Sequence, residues 1–110
     1  MRTVIYVACP MRIGGWTANV RKAAKIGRDL ILKGYSVINP MGSWLLDTAA
    51  PMEFEDWIEN DYGLIHASDA IFRIPGESEG ADLEVQFANS ISKPVFFDLA
   101  ELYRDFPNIK

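Results

Sequence analysis

The stretch Thr3-Val4-Ile5-Tyr6-Val7-Ala8, followed by Cys9-Pro10-Met11-Arg12-Ile13-Gly14-Gly15-Trp16, decides how the chain folds. Its first six residues are apolar and rich in β-branched side chains, with no polar alternation. A strand of that kind is buried on both faces, as the strands of a parallel sheet are. Pro10, Gly14 and Gly15 then break the pattern and make a loop. Outward from there, Thr17 is a fitting helix N-cap. Over residues 18–33, Val20, Ala23, Ala24, Gly27, Leu30 and Ile31 recur at helical spacing, while Arg21, Lys22, Lys25 and Arg28 take the other face. Gly34 suits the C-cap. A second apolar strand over 35–38 ends at Asn39-Pro40.

The same alternation continues. Residues 41–52 read as a loop, 53–66 as a helix, 69–74 as a third strand and 75–80 as a turn-rich loop. Residues 81–91 read as a third helix and 94–98 as a fourth strand, with a short helix or tail at the end. Strands and helices in this order give right-handed crossovers and a parallel sheet. The expected fold is a flavodoxin/Rossmann-like α/β domain spanning residues 1–110, with four to five parallel strands and helices on both faces. Ligands of such sheets bind beyond the carboxyl ends of the strands. That rule selects the loops 9–16, 39–52 and 74–80.

Composition narrows the function. A chain of 110 residues fits one domain with a real core. The net charge of -4 gives no basic footprint for a nucleic-acid polymer. A small anion needs only one or two local cations. The lone Cys9 excludes a disulfide framework and a multi-cysteine zinc site. There is no long apolar run and no signal-peptide pattern, so a soluble, cytoplasmic protein with no membrane partner is expected. Neither G-x-G-x-x-G after the first strand nor a P-loop motif occurs. His66 is the single histidine, and capping the end of its helix is the reading it fits best.

Two carboxylates stand out. Phe54, Trp57, Ile58, Asp61, Leu64 and Ile65 share one helical stripe. Asp61 either points at the sheet, where a carboxylate needs a partner or a job, or the helix is rotated and Asp61 is solvated. Glu84 falls in the first turn of the third helix, where an acid also suits the helix dipole. Ser78 and Gly80 precede that helix, so they make either an anion site with its first N–H groups or an ordinary cap. Arg12 would be a cation in the same crevice, or a surface side chain. Trp16 or Trp44 would stack on a planar ligand, or pack in a core or interface.

These residues carry a resemblance. The chain resembles the nucleoside 2-deoxyribosyltransferase-like superfamily, including the deoxynucleoside 5′-monophosphate N-hydrolases and a related small family of phage and bacterial proteins. The stretches that carry it are Val4-Ile5-Tyr6-Val7-Ala8-Cys9-Pro10, Asn60-Asp61-Tyr62 with Ser68-Asp69-Ala70, Gly80-Ala81-Asp82-Leu83-Glu84 with Ala88, and Lys93-Pro94-Val95. The resemblance implies Glu84 as nucleophile, Asp61 in acid–base or base-positioning work, and Tyr6 as a hydrogen-bond donor to the nucleophile. It implies that Ser78, with Arg12 and the Gly14-Gly15 loop, holds a 5′-phosphate, and that Gly80 lies at the same subsite. Cys9-Pro10 stands where the family has Gly-Pro or Gly-Ser, and the tail does not match the segment with which transferases complete a neighbour's site.

The expected activity is hydrolysis of the N-glycosidic bond of a (deoxy)nucleoside 5′-monophosphate through a glycosyl-enzyme on Glu84. The reaction needs no metal or cofactor, and the resemblance implies a homodimer or higher homo-oligomer. The rivals are base exchange by a 2-deoxyribosyltransferase, a non-catalytic nucleotide-binding or sensing module, and an unrelated α/β small-molecule binder.

Overall fold

The computed structural model describes residues 2–11, 14–40, 46 and 48–107. Its elements alternate along the chain: β1 (Val4–Ala8), α1 (Trp16–Lys33), β2 (Ser36–Ile38), α2 (Phe54–Ala67), β3 (Ala70–Arg73), α3 (Glu79–Ser90), β4 (Val95–Phe96) and α4 (Leu99–Asp105). The strands form one sheet in the order β2-β1-β3-β4. Every pairing is parallel, with Tyr6 opposite Ile38 on one side and Ile71 on the other. This is the flavodoxin-like winding. The chain turns one way from β1 to β2 and the other way from β3 to β4, which opens a crevice beyond β1 and β3.

The missing polar alternation in β1 follows from two cores. Ile5 and Val7 pack with Ala23, Leu30, Tyr35, Phe72 and Leu102 on the face covered by α1 and α4. Tyr6 and Ala8 pack with Ile65, Ile71, Ala81 and Ala88 on the face covered by α2 and α3. Each fully buried aliphatic side chain in these layers contributes about 1.5–3 kcal/mol. Neither face of β1 meets water, so neither tolerates a polar residue without a partner. Tyr6 is the exception, and its partner makes the site.

Several boundaries differ from those read in the sequence. α1 starts at Trp16 with Gly15 as N-cap, so Thr17 lies inside the first turn and caps nothing. The reason is Gly14 and Gly15, whose φ of 93° and 101° bend the backbone into the helix without a side-chain cap. Gly34 does end the helix, at φ 107° with its N–H on Ile31 and Leu30 carbonyls. The end of α2 is not held by His66, which is exposed. Ser68 Oγ donates to the Leu64 carbonyl at 2.8 Å, and Lys93 Nζ donates to the carbonyls of His66 and Ser68. β4 is two residues long, because Asp98 turns away to cap α4 through Ala100 N–H.

Candidate functional site

Tyr6 sits in the middle of β1 with its side chain on the α2/α3 face and no exposed surface. Its hydroxyl donates to Glu84 Oε2 at 2.6 Å. Glu84 is 5% exposed and shares the inward face of α3 with Ala81 and Ala88. α3 begins two residues before the start read from the sequence, so Glu84 lies in its second turn and not its first. A helix dipole acts mainly over the first turn, so it does not explain this carboxylate; the tyrosine does.

Burial pushes the Glu84 carboxyl up to about 9, and Asp61 adds to the rise while Tyr6 and Arg73 pull it back. Asp61 projects from α2 on the predicted stripe and is partly buried. Desolvation raises its carboxyl above the ordinary range, against the pull of hydrogen bonding with Glu84, Tyr6 and Asn60. Its Oδ1 is nonetheless buried without a settled hydrogen-bond partner; burial outweighs those pulls. Two such carboxyls titrate as a pair and hold at least one proton near neutral pH. Burial also raises Tyr6 far above its ordinary value, so it stays a donor. Cys9 is pushed up to about 12 by burial and by Glu84, which keeps it a thiol.

The pair opens into a cleft of about 520 Å³ at the carboxyl end of the sheet. Ser78 and Gly80 line it, as do Cys9 and the aromatic rings of Trp16, Phe54 and Trp57. The structure thus brings together Tyr6, Asp61, Glu84, Ser78 and Gly80. Ser78 is the N-cap of α3, its oxygen accepting from Ala81 N–H at 3.1 Å. Gly14 is exposed and is not among the cleft residues. Arg12 and Trp44 lie outside the described residues. Among the described residues that line the cleft, Asp61, Glu77, Glu79 and Glu84 are acidic and none is basic.

Arg73 went unnoticed in the sequence. It ends β3 and is 6% exposed. Its guanidinium donates to the Ile74 carbonyl, to the Gly76 carbonyl at 2.9 Å and to Asp82 Oδ1 at 2.8 Å. It ties the loop after β3 to the first turn of α3, the turn before Glu84. An arginine closing the apolar run Ala70-Ile71-Phe72 was the available signal, since a buried cation needs partners. Gly76 completes the loop at φ 133°, where a Cβ would stand 2.8 Å from Pro10 Cγ. The first and third loops therefore touch through a glycine.

Among the described residues, no group of three histidine, cysteine, aspartate or glutamate side chains is placed to hold a metal ion. No described helix is long and apolar enough to cross a membrane.

A family model described as a domain of unknown function (DUF4406) matches residues 3–97. No curated protein matches the chain. Among solved structures, the chain is similar to a 2-deoxyribosyltransferase from the psychrotolerant bacterium Bacillus psychrosaccharolyticus. The TM-score is 0.66 at 24% identity, over 84% of this chain and 69% of that one. The likeness establishes the fold, which is the one the resemblance in the sequence implied.

Proposed function

The chain belongs to the DUF4406 family, and we propose that it cleaves the N-glycosidic bond of a (deoxy)nucleoside 5′-monophosphate with Glu84 as nucleophile. The observation that carries this reading is the carboxyl pair of buried Glu84 and partly buried Asp61, with Tyr6 hydrogen-bonded to Glu84 at 2.6 Å, opening into a cleft of about 520 Å³.

The pair divides the work if it holds one proton. The hydrogen bond between the two raises Glu84 and lowers Asp61, so the resting proton lies on Glu84. It passes to Asp61 as substrate binds, helped by Tyr6 and Arg73, which favour charge on Glu84. Glu84 attacks C1′ as the bond to the base breaks, through an oxocarbenium-like transition state. Asp61 gives its proton to the departing base. Water then attacks C1′ of the glycosyl ester, Asp61 takes the proton from that water, and Glu84 is released as a carboxylate. The Ser78 hydroxyl, the first N–H groups of α3 near Gly80, and Arg12 would hold the phosphate. That remote binding fixes C1′ against Glu84.

One observation favours a second reading. The described cleft lining is acidic, which suits an uncharged nucleoside better than a phosphate. The solved structure of similar fold is a 2-deoxyribosyltransferase. In this reading a second base, not water, resolves the glycosyl-enzyme.

Incubation with a panel of deoxynucleosides and their 5′-monophosphates, with and without an acceptor base, separates the two. Free base released from monophosphates alone supports the hydrolase. Exchange on uncharged nucleosides, with little release in the absence of acceptor, supports the transferase. Neither product from any substrate would remove both.

A further inference from the structure

The aromatic side chains at the start of α2 have no part yet in this chemistry. The sequence placed Phe54 and Trp57 on one helical stripe with Asp61, facing the sheet or rotated away from it. In the structure only Ile65 of α2 is fully buried, and the stripe's first half lines the cleft instead. Phe54 is 50% exposed, and its ring lies 4.0 Å from where a Cβ on Gly80 would stand, across from the start of α3. Nearer its end, α2 shows how its rings behave when it packs on α3: Tyr62 stacks on Phe87 with centroids 4.2 Å apart. Trp57 and Phe54 border open space.

That space adjoins the chemistry. Trp57 and Asp61 are separated by one helical turn, and residues four apart on a helix are neighbours with Cβ atoms about 5–6 Å apart. A flat ring on Trp57 therefore sits within reach of the Asp61 carboxyl. Trp16, 42% exposed, closes the cleft from the start of α1.

We infer that Phe54 and Trp57 form the subsite for the planar leaving base and hold its glycosylated nitrogen heterocycle beside Asp61. The inference rests on the N-glycosidase reading and adds to it which helix face recognises the base. Stacking on an aromatic face tolerates any base, since each has a π-face, and strengthens with ring overlap. The subsite thus favours purines over pyrimidines without reading their edges.

The test compares wild type with Trp57→Ala, Trp57→Phe and Phe54→Ala. Steady-state cleavage of deoxyadenosine and deoxycytidine 5′-monophosphates, and of the uncharged nucleosides, is measured beside quenching of tryptophan fluorescence by free adenine and cytosine. One stacking contact is worth between about 5-fold and about 150-fold in affinity. Trp57→Ala is expected to raise KM by roughly 10-fold or more, more for the purine, with a much smaller change in kcat. Trp57→Phe restores most of the loss, and adenine quenching falls in Trp57→Ala to what the cleft's other tryptophan, Trp16, contributes. Phe54 is half exposed, so Phe54→Ala stays folded and raises KM less. Turnover with KM unchanged in both alanine variants would overturn the subsite while leaving the glycosidase. Quenching by adenine that depends on Trp57, without turnover of any substrate, supports the subsite and removes the glycosidase. Absence of both quenching and turnover removes both.

Discussion

The Tyr6 hydroxyl and Glu84 Oε2 are joined by a 2.6 Å hydrogen bond between residues 78 positions apart. One end of that bond is anchored in the central strand and the other in the helix that follows the neighbouring strand. The bond has two consequences. It gives the one polar side chain in the middle of β1 a partner, and it favours the charged form of a carboxyl that burial drives toward the neutral one.

Tyr6→Phe keeps the ring in the core and removes the donor. A hydrogen bond to a charged group contributes about 1.5–3 kcal/mol, so kcat should fall roughly 10- to 100-fold with the fold intact. Glu84 then holds its proton more firmly. The acidic limb of the rate profile should move to higher pH, and a pH–kcat profile with circular dichroism as a folding control checks both.

Glu84→Gln separates stability from activity. The folded state raises this carboxyl from 4.5 to about 9, so it binds a proton more tightly than the unfolded chain does. Its contribution to stability is present below the ordinary carboxylate pKa and is lost as pH rises toward about 9. Glutamine stays neutral and can still accept from Tyr6. The variant should be inactive yet more stable at pH 8–9 by ~1 kcal/mol or more, roughly 4–8 °C in Tm, with a flatter pH dependence. Thermal melts from acid to alkaline pH test this.

Arg73→Met leaves the carbonyls of Ile74 and Gly76 without their donor inside the loop before α3. The loss should be about 2–4 kcal/mol. Asp82→Asn, at the exposed end of the same ion pair, should cost under about 1 kcal/mol. Urea denaturation of the two variants distinguishes a buried anchor from a surface pair.

The chain's glycines give a matched pair. Gly76→Ala forces a Cβ to 2.8 Å from Pro10 Cγ at a φ of 133°, and should destabilise by about 1–3 kcal/mol. Gly63, on the exposed side of α2, has nothing within 4 Å of a Cβ. Gly63→Ala should stabilise by about 0.5–1 kcal/mol. Denaturant midpoints for both variants should move in opposite directions.

How far the sequence could be read follows from what each residue depends on. The unbroken apolar run of β1 required a sheet covered on both faces, and α1 with α4 and α2 with α3 supply the covers. Gly34 could be read as a cap because a left-handed residue after a helix is a local requirement. The approach of Tyr6 to Glu84 was not a matter of composition or spacing: it depends on the register of β1 against β3, and only the family resemblance pointed to it. Arg73 was missed because its partners are carbonyls in a turn whose shape no local pattern specifies. That the first half of α2 borders the cleft was not legible for a similar reason. A helical stripe identifies a common face but not how far along the helix the face stays against its neighbour, so the stripe alone left open whether Phe54 and Trp57 face the sheet; they line the cleft.

The measurement that bears most directly on the central claim is mass spectrometry of the protein after reaction with a 2′-fluoro-substituted nucleoside and its 5′-monophosphate. The fluorine slows hydrolysis of the glycosyl ester by disfavouring positive charge at C1′. The account predicts one glycosyl unit added per chain, on the peptide that contains Glu84, and none on Glu84→Gln. Base release by the wild type with no adduct, or with an adduct on another residue, would contradict Glu84 as the nucleophile.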